Sequence, residues 1–252
     1  MKALVHAELL KLRTRSAAWM LLATLAVVTL GIAATVPKAG DHDAPVPLDD
    51  PALLASTVGG LVPVSMVFAV LLGVLSFTQE FRYGTATSTY LVEPRRARVL
   101  VAKLLSQALM AVAVTLVTLV YAAVLAGAII RSRDGDVSVS SQFWQMVAAA
   151  FVCMSAYSVI GVAIGVLVRN QVVVIVGVLV WMLAVEWTVL PSFPTIGRWL
   201  PVGVTNTLLQ QGPSLGLDGK LLSVPLGGLV LLGYVVLALV LAVRLTPRRD
   251  VV

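Results

Sequence analysis

Six stretches of this chain are long and apolar enough to cross a bilayer, and that feature limits the fold more than any other. They are residues Ala17–Val36, Leu53–Phe77, Leu104–Ile130, Phe143–Val168, Val172–Leu190 and Leu221–Val243. At a rise of about 1.5 Å per residue, some 20 residues match a hydrocarbon core of about 30 Å. Apolar residues make up 59% of the chain, against roughly 45–50% in soluble proteins. Charged residues are 12%, about half the usual share, and they gather at the ends of the runs. The runs are continuous rather than alternating in short segments, which argues against a β-barrel. The expected fold class is an all-α polytopic membrane protein, with residues 1–252 forming one transmembrane domain of six helices. Ala17–Val36 is longer than the apolar part of a typical signal peptide, so it reads as an anchor.

Basic residues set the expected orientation. If both termini are cytoplasmic, only Lys38, Arg131, Arg133, Arg198 and Lys220 fall outside, leaving thirteen of the 18 Lys and Arg inside. That bias favours two cytoplasmic ends and a plasma-membrane location. The net charge of +6 therefore suits head groups rather than nucleic acid. Residues 1–16 read as an interfacial helix, with Val5, Leu9 and Leu12 on one stripe and charged residues flanking it.

Small residues crowd the second run, with Gly59, Gly60, Ser65, Gly73 and Ser76, so it should face protein rather than lipid, and Pro63 should kink it. Gly161-x-x-x-Gly165 in the fourth run suits a close helix crossing. Between the fifth and sixth runs, residues 191–220 are rich in Pro and Gly, and Val204–Gln211 is expected to form a short helix stopped by Gly212 and Pro213. Half-apolar irregular backbone at this depth must be buried or line a cavity.

The densest polar stretch lies between the second and third runs, at residues 79–103. It carries Glu80, Arg82, Gly84 and Thr85 in the order Glu-x-Arg-x-Gly-Thr, then Pro94, Arg95, Arg96, Arg98 and Lys103. Lys103 is expected at the inner boundary, its ammonium snorkelling outward. The order, spacing and topology of this stretch resemble ABC-2-type transporter permeases. Arg198-Trp199-Leu200-Pro201 followed by Asn206–Leu209 is similar to that family's outer loop before the last helix. The resemblance implies that residues 80–93 hold a cytoplasmic coupling helix that docks on a separate ABC ATPase subunit, and that two permease copies form a dimer. It also implies that Glu80, Arg82, Gly84, Thr85, Pro94, Arg95, Arg96 and Lys103 serve coupling, with ATP and Mg bound by the partner.

The chain has no Gly-x-x-x-x-Gly-Lys-Ser/Thr, so no P-loop of its own. Its histidines, His6 and His42, lie outside the runs, which removes serine hydrolase and His-Glu-x-x-His metalloenzyme chemistry. No cofactor or metal is expected; Asp41-His42-Asp43 lacks a second histidine. Cys153 has no histidine beside it and reads as packing. Glu186 is the one acid inside a run. It reads either as an outer-gate or translocation residue or as a carboxylate that snorkels or bonds the segment Pro191–Pro201. Its shallow depth favours the structural role. The expected function is the membrane permease of an exporter. An ATP-independent carrier or channel would instead show several charged residues at mid-membrane. A non-transporting scaffold or sensor would need no cavity.

Overall fold

The computed structural model describes residues 2–12, 15–38, 44, 46–82, 96–168, 170–217 and 219–245. The described residues are helical, with no strand among them, and six helices are long and apolar enough to cross a membrane. These spans are Ala17–Thr35, Leu53–Glu80, Arg98–Ser132, Ser141–Leu167, Gln171–Ser192 and Val224–Arg244. The sixth helix starts at Val224 rather than Leu221; Pro225 then falls in its first turn, where the missing N–H costs nothing. Even spans return the chain, so Lys2, Leu245, the helix ends at Arg82 and Arg96 and those at Leu167 and Gln171 occupy one end, here called the terminal end. The other three connections occupy the far end.

Span two is the centre. In its apolar window 83% of residues are buried within the protein, against 17% for span six. It packs chiefly on span four, which also touches spans three and six. The small residues explain this contact. A Cβ on Gly73 would lie 2.1 Å from the Ser158 carbonyl oxygen, and one on Gly161 would lie 2.2 Å from that of Val70. Backbone therefore meets backbone, as the Gly161-x-x-x-Gly165 spacing requires. Span two is divided at Leu61 into helices Leu53–Gly60 and Val62–Arg82, because Pro63 has no N–H for the carbonyl four residues back. Outward faces carry exposed Leu30, Val124, Val152 and Leu229, the surface that lipid covers.

The helix of span three, Arg96–Ser132, has 37 residues and a length of about 55 Å, well beyond the hydrocarbon core. Its first turns therefore project at the terminal end. Helix Lys2–Leu12 lies against them. At the far end Arg133 donates to the carbonyls of Val36 and Pro37. This cation meets the carbonyl end of the first span's helix, where positive charge is favoured. It explains why an arginine stands on the side that the basic-residue bias leaves poor.

Candidate functional site

Charged groups buried in an apolar chain need partners, and among the described residues they collect at two places. The first is the terminal end of spans two and three. Lys103 is 4% exposed, Glu8 5% and Glu80 9%. Lys103 Nζ donates to Glu8 Oε2 at 2.6 Å and to the Ser76 carbonyl at 3.1 Å. It lies 3.1 Å from Glu80 Oε1. The ammonium thus has three acceptors for its three N–H groups, which is what makes its burial tolerable. One turn on, Ser106 Oγ donates to Val5 O at 3.2 Å. These contacts join the N-terminal helix, the end of span two and the start of span three.

Lys103 and Glu80 are therefore brought together, and Lys103 does not snorkel outward as expected: its ammonium is held by protein oxygens. Glu8 is a site residue that sequence reasoning missed. At about 100° per residue it lies about 60° from Val5 and about 40° beyond Leu12, on the flank of the apolar stripe, and it is buried because span three covers that flank. Of the other residues assigned to coupling, Arg82 ends the helix of span two and Arg96 begins that of span three. Their side chains, and Gly84, Thr85, Pro94 and Arg95 entirely, lie outside the described residues, as do the coupling helix 80–93 beyond Arg82 and Asp41-His42-Asp43.

The second place is the far end of spans four, five and six. Residues 194–217 fold inward as short helix Pro194–Gly197, short helix Pro201–Leu208 and a 3-10 turn Pro213–Leu215. The helix expected at 204–211 begins three residues earlier, since Pro201 fits its first turn. It ends at Leu208, before Gly212, because Gln210 takes a positive φ of 55°. The N–H groups of Gln211 and Gln210 then close on the carbonyls of Asn206 and Thr207, the Schellman arrangement.

Three spans hold the entry to this inserted helix. Pro201 offers no N–H, so the first free donor is Val202, which donates to Glu186 Oε2 at 2.6 Å. A carboxylate at a helix N-terminus satisfies the orphan N–H and suits the helix dipole. Tyr157 of span four donates to the Pro201 carbonyl at 2.8 Å, and Tyr234 of span six donates to the Trp199 carbonyl. Glu186 is fully buried, 0% exposed, and so does not snorkel. The backbone donor it holds is Val202, one residue beyond the expected segment Pro191–Pro201. Span five reaches this position through a π-helical turn, Val180–Val185, in which the Glu186 N–H bonds the Trp181 carbonyl. Five-residue spacing puts the Trp181 indole and the Glu186 carboxyl on one line, a device common at functional sites.

Beneath Glu186 a cavity of about 560 Å³ lies between spans four, five and six over one edge of span two. Its lining is apolar except at the outer end, where Glu186, Tyr157 and Tyr234 meet. Among the described residues no group of His, Cys, Asp and Glu could hold a metal ion.

Residues 4–206 match the family described as ABC-2 family transporter protein. The match contains Glu8, Glu80, Lys103 and Glu186, and ends within the inserted helix. No curated protein matches the chain.

Proposed function

The chain belongs to the ABC-2 transporter family, and from that premise we propose that it is the permease subunit of a bacterial exporter whose ATP is hydrolysed by a separate subunit. The observation that carries the mechanical part of this reading is the buried Glu8–Lys103–Glu80 cluster. Residues 80–93 are the segment assigned to ATPase docking, and the cluster fixes the helix ends that flank it to the N-terminal helix. Force applied by the ATPase at residues 83–95 enters spans two and three together. Spans two and four, in backbone contact through Gly73 and Gly161, then move as one body. Span five, which carries the exposed Val172, Val173 and Val176, and span six are the members free to shift against that body. Two such permeases, each with its ATPase, would alternate access to a path between them. The cavity beneath Glu186 favours transport over a non-transporting scaffold. Apart from Glu80 at the terminal end of span two, Glu186 is the one acid within the spans, which speaks against an ion-coupled carrier.

The test is recovery of an ATPase. Arg82→Glu reverses a docking charge, where a desolvated pair can be worth several kcal/mol. Gly84→Val opposes a positive-φ turn at about 1–3 kcal/mol. Both variants should insert as the parent does and recover far less ATPase activity on affinity-tagged permease. Recovery equal to the parent in both would refute coupling through this loop.

Orientation has its own check. Cysteine at Ser138 should react with an impermeant maleimide in intact cells, and cysteine at Thr87 only after permeabilisation. Cys153, the native thiol, is buried and contributes little background. Ready labelling at Thr87 in intact cells would invert the topology.

A further inference from the structure

We propose that the cavity between spans five and six is a binding site for a single-chain amphiphile with an ammonium head, with Glu186 as the group that selects the head. The lining runs from Leu167 and Leu241 to Glu186 and Pro201. Along span five, Val173 to Glu186 corresponds to about 20 Å, enough for an extended alkyl chain. The volume falls in the range of small-molecule sites, which are mostly apolar with a few fixed polar groups.

The polar end of this cavity can accept hydrogen bonds better than it can donate them. Both tyrosine hydroxyls already donate, Tyr157 to Pro201 and Tyr234 to Trp199. Glu186 uses Oε2 for the Val202 N–H. The Trp181 indole lies beside the carboxylate and interacts with it. Oε1 nevertheless has no partner of hydrogen-bond geometry among the described residues, although Glu186 is fully buried. A buried, half-satisfied carboxylate at the end of an apolar chamber favours a ligand that brings both a positive charge and N–H donors. An alcohol supplies only the donor, and a fatty acid brings the wrong charge. Such a head also sits against the backbone of the inserted helix, so occupation of the cavity and the position of residues 199–202 are coupled.

That the ligand is cargo rests on the permease reading; that the cavity binds it does not. The probe is dodecylammonium, compared with dodecanol, on the full chain in phosphatidylcholine nanodiscs, with dissociation constants measured by calorimetry. Dodecylammonium should bind the parent about tenfold or more tighter than dodecanol, the scale of a charge-assisted bond. Glu186→Gln keeps an oxygen for the Val202 N–H and should erase the preference for the ammonium head over the alcohol. Gly177→Phe provides a second route, because Gly177 lines the cavity and an added Cβ there meets nothing within 4 Å. It should fold as the parent does and weaken both ligands. Competition by added lysophosphatidylethanolamine assigns the site to single-chain amine-headed lipid, and no competition assigns it to a free alkylammonium ion; either outcome supports the ammonium class. A preference that survives Glu186→Gln would overturn the proposal. So would undiminished binding by Gly177→Phe, or a Gly177→Phe chain that loses only dimerisation, which would make a second copy the occupant. None of these results depends on ATPase recovery, so failure here leaves the permease reading standing, and the reverse holds.

Discussion

Gly161→Ala should prevent normal assembly of the transmembrane domain, although it adds a single methyl group. The Cβ would lie 2.2 Å from the Val70 carbonyl oxygen, 2.9 Å from its carbon and 3.0 Å from its Cα. All three atoms are backbone, in the middle of the most buried span, so no side chain can rotate away. Relief requires spans two and four to separate, and Gly73 opposes the same motion from the other side with 2.1 Å to the Ser158 carbonyl. Separation would loosen Met66, Val70, Val74, Met154 and Tyr157, all buried in the same cluster. Overpacking ordinarily costs about 1–3 kcal/mol, and a rigid backbone neighbour should take this site to the top of that range or beyond. The measurement is the fraction of fluorescently tagged protein that elutes as a single peak after extraction, with its thermal midpoint. Gly177→Ala is the control, since nothing lies near it, and it should match or exceed the parent because alanine is the better helix former. A monodisperse Gly161→Ala protein with an unchanged midpoint would show that the two spans do not cross as described.

This crossing also marks the limit of what periodicity and composition reveal. Gly161-x-x-x-Gly165 announces a close approach but carries no address, since any small-residue face would serve. The partner became visible only when Gly73 was found opposite. Similar reasoning holds at the far end. The need for residues 191–220 to be buried follows from backbone hydrogen bonding in a bilayer, and Glu186 was legible as an acid with work to do. Its mate was not, because Val202 acquires a free N–H only once the inserted helix is known to begin at Pro201. The π-helical turn left no signal in the apolar pattern, as one extra residue per turn hardly alters a run that is hydrophobic on every side. Glu8 is hidden for a different reason. Its angle puts it on the charged flank of the stripe, where exposure to solvent is the default, and only the packing of span three against that flank buries it.

Lys103→Met should have the largest effect on function for its distance from any cargo. The substitution preserves the length of the stem and removes the charge, leaving Glu8 and Glu80 without the ammonium that lies 2.6 Å and 3.1 Å from them. Removing one member of a buried pair typically costs about 3–5 kcal/mol, because the remaining charge stays desolvated. The N-terminal helix has the cheapest escape: by releasing Glu8 to water it gives up its Ser106 contact and leaves the six spans intact. The expected result is therefore a protein that still inserts, with an N-terminal helix open to proteolysis near residues 5–10 and with little ATPase stimulation. A compensated chain separates charge from mechanics. Lys103→Met combined with Glu8→Gln and Glu80→Gln removes the two charges that the ammonium had balanced, so protection of the N-terminal helix should largely return. If the cluster transmits force, ATPase stimulation should stay low in this compensated chain, because neutral contacts hold the helix without the short ionic bonds that bind the roots of the loop together. Full recovery of stimulation along with protection would reduce the cluster to a packing device. Protection and stimulation both unchanged in Lys103→Met alone would remove it from the mechanism altogether.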